Sequence, residues 1–133
     1  MAEIIYLTLE NILLLHEVSI KEFGGSRGIR DMGLLESAVM QSQQSFGGSD
    51  LYPTLWDKTS ILTYALYKNH PFIDGNKRTA ALAMLTFTDL NGYEISVAKG
   101  EIHGIILKVA DGTTSRETLT QWIETYSQTI KKS

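Results

Sequence analysis

The chain has 133 residues, 43% hydrophobic and 20% charged, with a net charge of −3, which suits one domain around one core and excludes a global field drawing in nucleic acid or anionic membrane. Cysteine is absent, which excludes disulfide and thiolate chemistry and fits a reducing cytoplasm. The first ten residues carry Glu3 and Glu10 and no basic n-region, unlike a secretory signal, and no apolar run approaches the ~18 residues of a membrane span, so the expectation is a soluble, single-domain, cytoplasmic protein spanning 1–133.

In chain order, Thr8 caps a helix carrying Ile12, Leu15 and Ile20 on one stripe, and the helix stops at Phe23-Gly24-Gly25. Ser26 to Arg30 reads as a turn, and Asp31 caps a second helix with Leu34, Leu35, Ala38 and Val39. Ser42 to Pro53 is rich in Gln, Ser and Gly and reads as an irregular loop or small hairpin. Thr54 opens a third helix, with Asp57 in a variant of the capping box and Ile61, Leu62, Ala65 and Leu66 on its buried face. Pro71 ends it. A fourth helix runs from about Asn76 to Leu90 and closes at Asn91-Gly92; Ala80 to Leu85 is apolar on nearly every side, which predicts the central, buried helix of the fold. Tyr93 to Val97 is short and extended. A fifth helix spans roughly Lys99 to Ala110, and a sixth follows Ser115 with Leu119, Trp122, Ile123 and Tyr126 on one face. The fold class is all-α.

The segment His70 to Arg78, between the third and fourth helices, carries the chemistry. Asp74-Gly75-Asn76 lead into a helix N-terminus, whose free amides and dipole make an anion site. Lys77 and Arg78 sit in that first turn, where each cation opposes the dipole by about 0.3–1 kcal/mol unless a bound anion reverses the local sign. Asp74 is a lone carboxylate beside the anion site, and one carboxylate with substrate phosphate oxygens is a common way to hold Mg²⁺. His70 can act as a general base toward an incoming hydroxyl. Together these describe phosphoryl or nucleotidyl transfer. Taken singly, each residue has a plainer reading: Asp74 a helix N-cap, His70 a structural histidine, Lys77 and Arg78 solvated charges, Gly75 relief of a tight turn. The run Gly75 to Thr79 lacks the second glycine and the upstream strand of a P-loop. His16, His70 and His103 lack metal-ligand spacing, so no zinc site is expected. Trp56, Tyr64 and Tyr67 recur at helical spacing and read as core rather than as a base-stacking platform.

The Fic signature is His-Pro-Phe-x-Asp/Glu-Gly-Asn-Gly-Arg-x-x-Arg. Residues 70–81 resemble it closely, with Lys77 in place of the second glycine and Ala81 in place of the last arginine. The Asn-Lys-Arg-Thr-Ala version is similar to the Doc, or death-on-curing, branch of the Fic/Doc family. The resemblance extends through Gly28-Ile29-Arg30-Asp31, Leu34-Leu35-Glu36 and the Asn91-Gly92 stop. It implies a compact helical bundle in which His70 is the catalytic base and Asp74 the Mg²⁺ ligand. Gly75, Asn76, Lys77 and Arg78 would form the nucleotide-phosphate site, with Lys77 separating Doc from adenylylating members. It further implies ATP as phosphate donor and elongation factor Tu as the kind of target. The implied partner is a Phd-like antitoxin, and the flap aligning the target segment would lie at Ser45 to Pro53. Many Fic proteins carry an inhibitory Ser/Thr-x-x-x-Glu-Gly/Asn helix. The nearest matches here, Thr113 to Glu117 and Thr120 to Glu124, are each followed by threonine, so restraint is expected in trans. Alternatives to the kinase toxin are a protein adenylyltransferase, a non-catalytic Fic-fold binding module and a housekeeping regulator.

Overall fold

The computed structural model describes residues 3–130. Helix α1 (Leu9–Phe23) begins with a reciprocal cap. Thr8 Oγ1 accepts from the Asn11 amide at 3.1 Å, and Asn11 Oδ1 accepts from the Thr8 amide at 3.0 Å. Helix α2 (Met32–Met40) is capped by Asp31, whose Oδ1 accepts from the Leu34 amide at 3.0 Å. A 3₁₀ turn at Gln41–Gln43 leads into an antiparallel hairpin, β1 (Ser45–Phe46) and β2 (Ser49–Asp50). Its two turn residues, Gly47 and Gly48, have φ of 59° and 84°, the positive pair that matches strand twist in a two-residue turn. The stretch that reads as a loop or small hairpin is thus a hairpin.

Helix α3 (Leu55–Lys68) starts at Thr54, whose Oγ1 accepts from the Asp57 amide at 3.0 Å and donates to Asp57 Oδ2 at 2.9 Å. Helix α4 (Asn76–Leu90) follows, then β3 (Tyr93–Ile95), α5 (Glu101–Ala110), α6 (Arg116–Tyr126) and β4 (Ser127–Thr129). The fifth helix begins past Lys99, because Gly100, at φ 93°, breaks the helical path before Glu101. Strand β4 pairs antiparallel with β3, Tyr93 opposite Thr129 and Ile95 opposite Ser127. Nothing in Ser127-Gln128-Thr129 alternates in polarity, so periodicity gives no sign of this strand.

Helix α4 is the hub, packing on α1, α3, α5 and β3. On one side Ala80, Ala83 and Phe87 meet Ile12, Leu35, Leu62 and Leu66; on the other Met84 meets Ile105, Ile106, Leu119 and Ile123. Two alanines with no exposed surface let the neighbouring helices approach closely. The helix is central, as its apolar run predicts, but one flank is open: Ala81, Leu82 and Leu85 are only half-buried and line a cleft. Of the residues expected on one face of α6, Leu119 and Ile123 are buried while Tyr126 is 41% exposed, its ring centroid 5.2 Å from that of Trp122. Among the described residues no helix is long and apolar enough to cross a membrane.

Candidate active site

The segment joining α3 to α4 is held by partners distant in sequence. Ile29 and Phe72 form an antiparallel bridge. The Arg30 and Asp31 amides both donate to the Pro71 carbonyl, at 2.7 and 3.1 Å, and the Ile73 amide donates to Gly28 at 3.1 Å. Arg30 also uses its side chain: Nε donates to the His70 carbonyl at 2.6 Å and Nη2 to the Asn69 carbonyl at 2.8 Å. Expected to form a simple turn, Ser26 to Arg30 is thus also one strand of this clamp.

From the other end, Asn76 reaches back to Phe72. Its Oδ1 accepts from the Phe72 amide at 3.0 Å, and its Nδ2 donates to the Phe72 carbonyl at 2.9 Å. The Asn76 side chain is therefore committed to the loop, leaving its backbone amide at the helix N-terminus. The Phe72 ring, 1% exposed, stacks face to face on His16 at 3.8 Å and 4°, and His16 Nε2–H donates to the Asp74 carbonyl at 2.8 Å.

Asp74 does not cap α4. Its Oδ2 accepts from the Ser26 amide at 3.1 Å and its Oδ1 from the Gly75 amide at 2.8 Å. Those two bonds, the Ser26 one foremost, hold its carboxyl below the usual value of 3.8, with Arg78 adding to the effect. The N-cap is Gly75, at φ 80°, and it supplies no side-chain bond. A Cβ there would adopt a strained backbone and approach Ile20 Cδ1 at 3.4 Å. The first turn of α4 holds no acidic residue. Lys77 is exposed and Arg78 half-buried, and among the described residues neither is ion-paired. The Arg78 guanidinium lies 5.4 Å from the Phe23 ring.

His70 stands at the mouth with φ 46°, the only non-glycine residue of positive φ among those described. Its ring meets Tyr67 edge-on at 5.1 Å. His70, Asp74, Gly75, Asn76, Lys77 and Arg78 all line one cleft of about 790 Å³, whose apolar flank is Ala81, Leu82 and Leu85.

The model of the family described as Fic/DOC family matches residues 6–88, from the strand of chain before α1 to the last turns of α4. The chain belongs to the Fic/DOC family. It is 43% identical over 91 residues, 68% of each chain, to Toxin Doc of Mycolicibacterium smegmatis. It is 29% identical over 86 residues, 65% of this chain and 68% of the relative, to Protein kinase doc of Escherichia phage P1.

In this Fic/DOC chain the cleft has a second wall that lies beyond the matched segment: Gly100, Ile102, His103 and Ile106, at the start of α5. Sequence reasoning misses this wall, since His103 is notable only for lacking ligand spacing. It also misses Tyr67, which lines the cleft while its hydroxyl donates to the Ala110 carbonyl at 3.2 Å. The hairpin Ser45–Asp50 contributes no residue to the cleft; buried Lys58 ties it to α3 instead. Among the described residues no three His, Cys, Asp or Glu side chains cluster as metal ligands. A divalent cation here would have Asp74 as its one carboxylate and would need substrate oxygens to complete its shell, the mode Mg²⁺ favours.

Proposed function

We propose that the chain is a Doc-type toxin, a protein kinase that moves the γ-phosphate of ATP to a hydroxyl of a target protein. The observation that carries this reading is the α4 N-terminus. It has no side-chain cap and no acid in its first turn, bears two cations that have no ion-pair partner among the described residues, and opens into the same cleft as His70 and Asp74. That combination is adapted to a polyanion whose charge shifts during reaction. The names of the relatives, Toxin Doc and Protein kinase doc, support the same reading.

His70 takes the proton of the attacking hydroxyl as its oxygen bonds to the γ-phosphorus. The bond from that phosphorus to the bridging oxygen breaks, and ADP leaves. The α4 amides of Asn76 and Lys77, with the Lys77 and Arg78 side chains, offset the charge on the phosphate oxygens. Asp74, ionised across the physiological range, would hold Mg²⁺, which neutralises phosphate charge. Gly75 keeps side-chain bulk away from this turn.

Two features favour γ-transfer over adenylylation. Lys77 places a long cationic side chain where the Fic signature has glycine, which obstructs the close approach of the α-phosphate. Ala81 lines the cleft without the cation that would hold the remaining phosphates in the Fic orientation. On this reading the target is a translation factor such as elongation factor Tu, the hairpin aligns it, and a Phd-like antitoxin restrains the enzyme in trans in the cytoplasm.

The test is incubation of the protein with Mg²⁺, cell extract and ATP labelled at the γ- or the α-phosphate. Label is expected on protein from γ-labelled ATP only, and in neither case with His70→Ala or Asp74→Ala. Label from α-labelled ATP alone would replace the kinase reading with adenylylation, and no label would favour a binding module.

A further inference from the structure

We propose that Arg30 and His16 are positioning residues that hold the two halves of the reactive loop separately: Arg30 sets His70, and His16 sets Asp74 and the turn into α4. The inference rests on the phosphotransfer reading for its kinetic arm. Neither residue lines the cleft, so each acts through another.

The backbone torsions at His70 are fixed by the orientations of the peptide units on either side of its Cα. The carbonyls of those two units belong to Asn69 and His70, and the Arg30 fork grips both, at 2.8 and 2.6 Å. A left-handed histidine at φ 46° is uncommon and persists only where its surroundings over-determine it. A rigid planar donor pair does that; a lysine, as a point charge, does not. The Arg30 backbone amide adds a bond to the next carbonyl, that of Pro71, at 2.7 Å.

At the other end, His16 is 5% exposed and uses both of its properties. Its face stacks on Phe72 at 3.8 Å, and its Nε2–H fixes the Asp74 carbonyl at 2.8 Å. That carbonyl belongs to the peptide unit whose amide, on Gly75, donates to the Asp74 carboxylate. Between the two clamps, Asn76 pairs both backbone groups of Phe72, which isolates a disturbance at one end from the other.

The full-length protein is tested as wild type, Arg30→Met, Arg30→Lys, His16→Phe (stack kept, donor lost) and His16→Gln (donor kept, stack lost). Affinity for Mg²⁺–ATP is read by calorimetry, kcat and KM by γ-phosphate transfer, and folding by thermal melting. Arg30→Met and Arg30→Lys are expected to lower kcat on the order of 10²-fold, as a misplaced base does, with affinity held within about twofold. His16→Phe is expected to weaken Mg²⁺–ATP binding about 10-fold with kcat at saturation nearly kept, the scale of a lost support behind a metal ligand. His16→Gln should recover most of that affinity. Arg30→Met lowering affinity as much as kcat, His16→Gln binding as poorly as His16→Phe, or Arg30→Lys matching wild type would overturn the proposal. A wild type that transfers no γ-phosphate refutes the kinase reading alone. The clamps are then judged by binding for His16 and, for Arg30, by the imidazole NMR resonances of His70, whose constancy in Arg30→Met would refute that half.

Discussion

His70 combines an imidazole that lines the cleft with a backbone that most side chains avoid. Its φ of 46° costs a residue with a Cβ on the order of 1 kcal/mol, and costs glycine almost nothing. His70→Ala and His70→Gly both delete the imidazole, and both are expected to be inactive. They should differ in stability: the glycine variant is expected to be more stable than the alanine variant by about 1 kcal/mol in urea titrations, less a few tenths for its freer unfolded chain. Equal midpoints would show that the loop relaxes once the ring is gone. Asp74 makes a prediction in pH. The Ser26 and Gly75 amides depress its folded pKa below 3.8, so the unfolded chain takes up this proton first on acidification. The stabilisation from those bonds is full above the ordinary carboxylate range and is lost as pH falls through the lowered folded value. The melting gap between wild type and Asp74→Asn should therefore stay constant from neutrality down to about pH 5 and close below it. A gap that widens in acid would contradict this assignment. That His70 and Asp74 to Arg78 share one cleft is legible in the sequence because one uninterrupted run places an imidazole, a carboxylate and two cations at a helix start. Arg30 and His16 are not, because their bonds to the loop cross 40 and 58 residues, and no local pattern encodes such a partner.

Among the elements, the hairpin β1–β2 depends on a buried cation. Lys58 is 2% exposed, lies 5.9 Å from the Tyr6 ring centroid, and donates to Asp50 Oδ2 at 3.1 Å and to the Tyr52 carbonyl. Asp50 remains half in water, with 55% of its side chain exposed, so the ammonium rather than the carboxylate carries the burial. Lys58→Met preserves the stem and removes the donors. It is expected to lower stability by about 2 kcal/mol, the scale of bonds to a charged group. Hydrogen exchange should speed up in Ser45–Asp50 and leave α4 unchanged. Uniform acceleration along the chain would mean that Lys58 supports the whole core. The helices themselves were readable. Thr8, Asp31, Thr54 and Ser115 each cap where a side-chain oxygen precedes an apolar repeat. The hairpin was half readable through its glycine pair, and β4 was silent because three polar residues with no apolar alternation form a strand only once β3 is beside them.

At the scale of the molecule, α4 divides the interior into two apolar clusters and leaves one flank bare between them. Composition predicts a central, buried helix and gives no sign of this open flank, since alanine and leucine look the same whether they face a core or a cleft. The distribution of the cleft across the chain has a consequence for descent. The wall that carries His70 to Arg78, and the segments that clamp it, all fall within residues 6–88, the span by which kinship is recognised. The facing wall begins at Gly100. A lineage could therefore rebuild this facing wall of the cleft while its kinship stayed in plain view. The signature marks ancestry, and the opposite bank is free to drift.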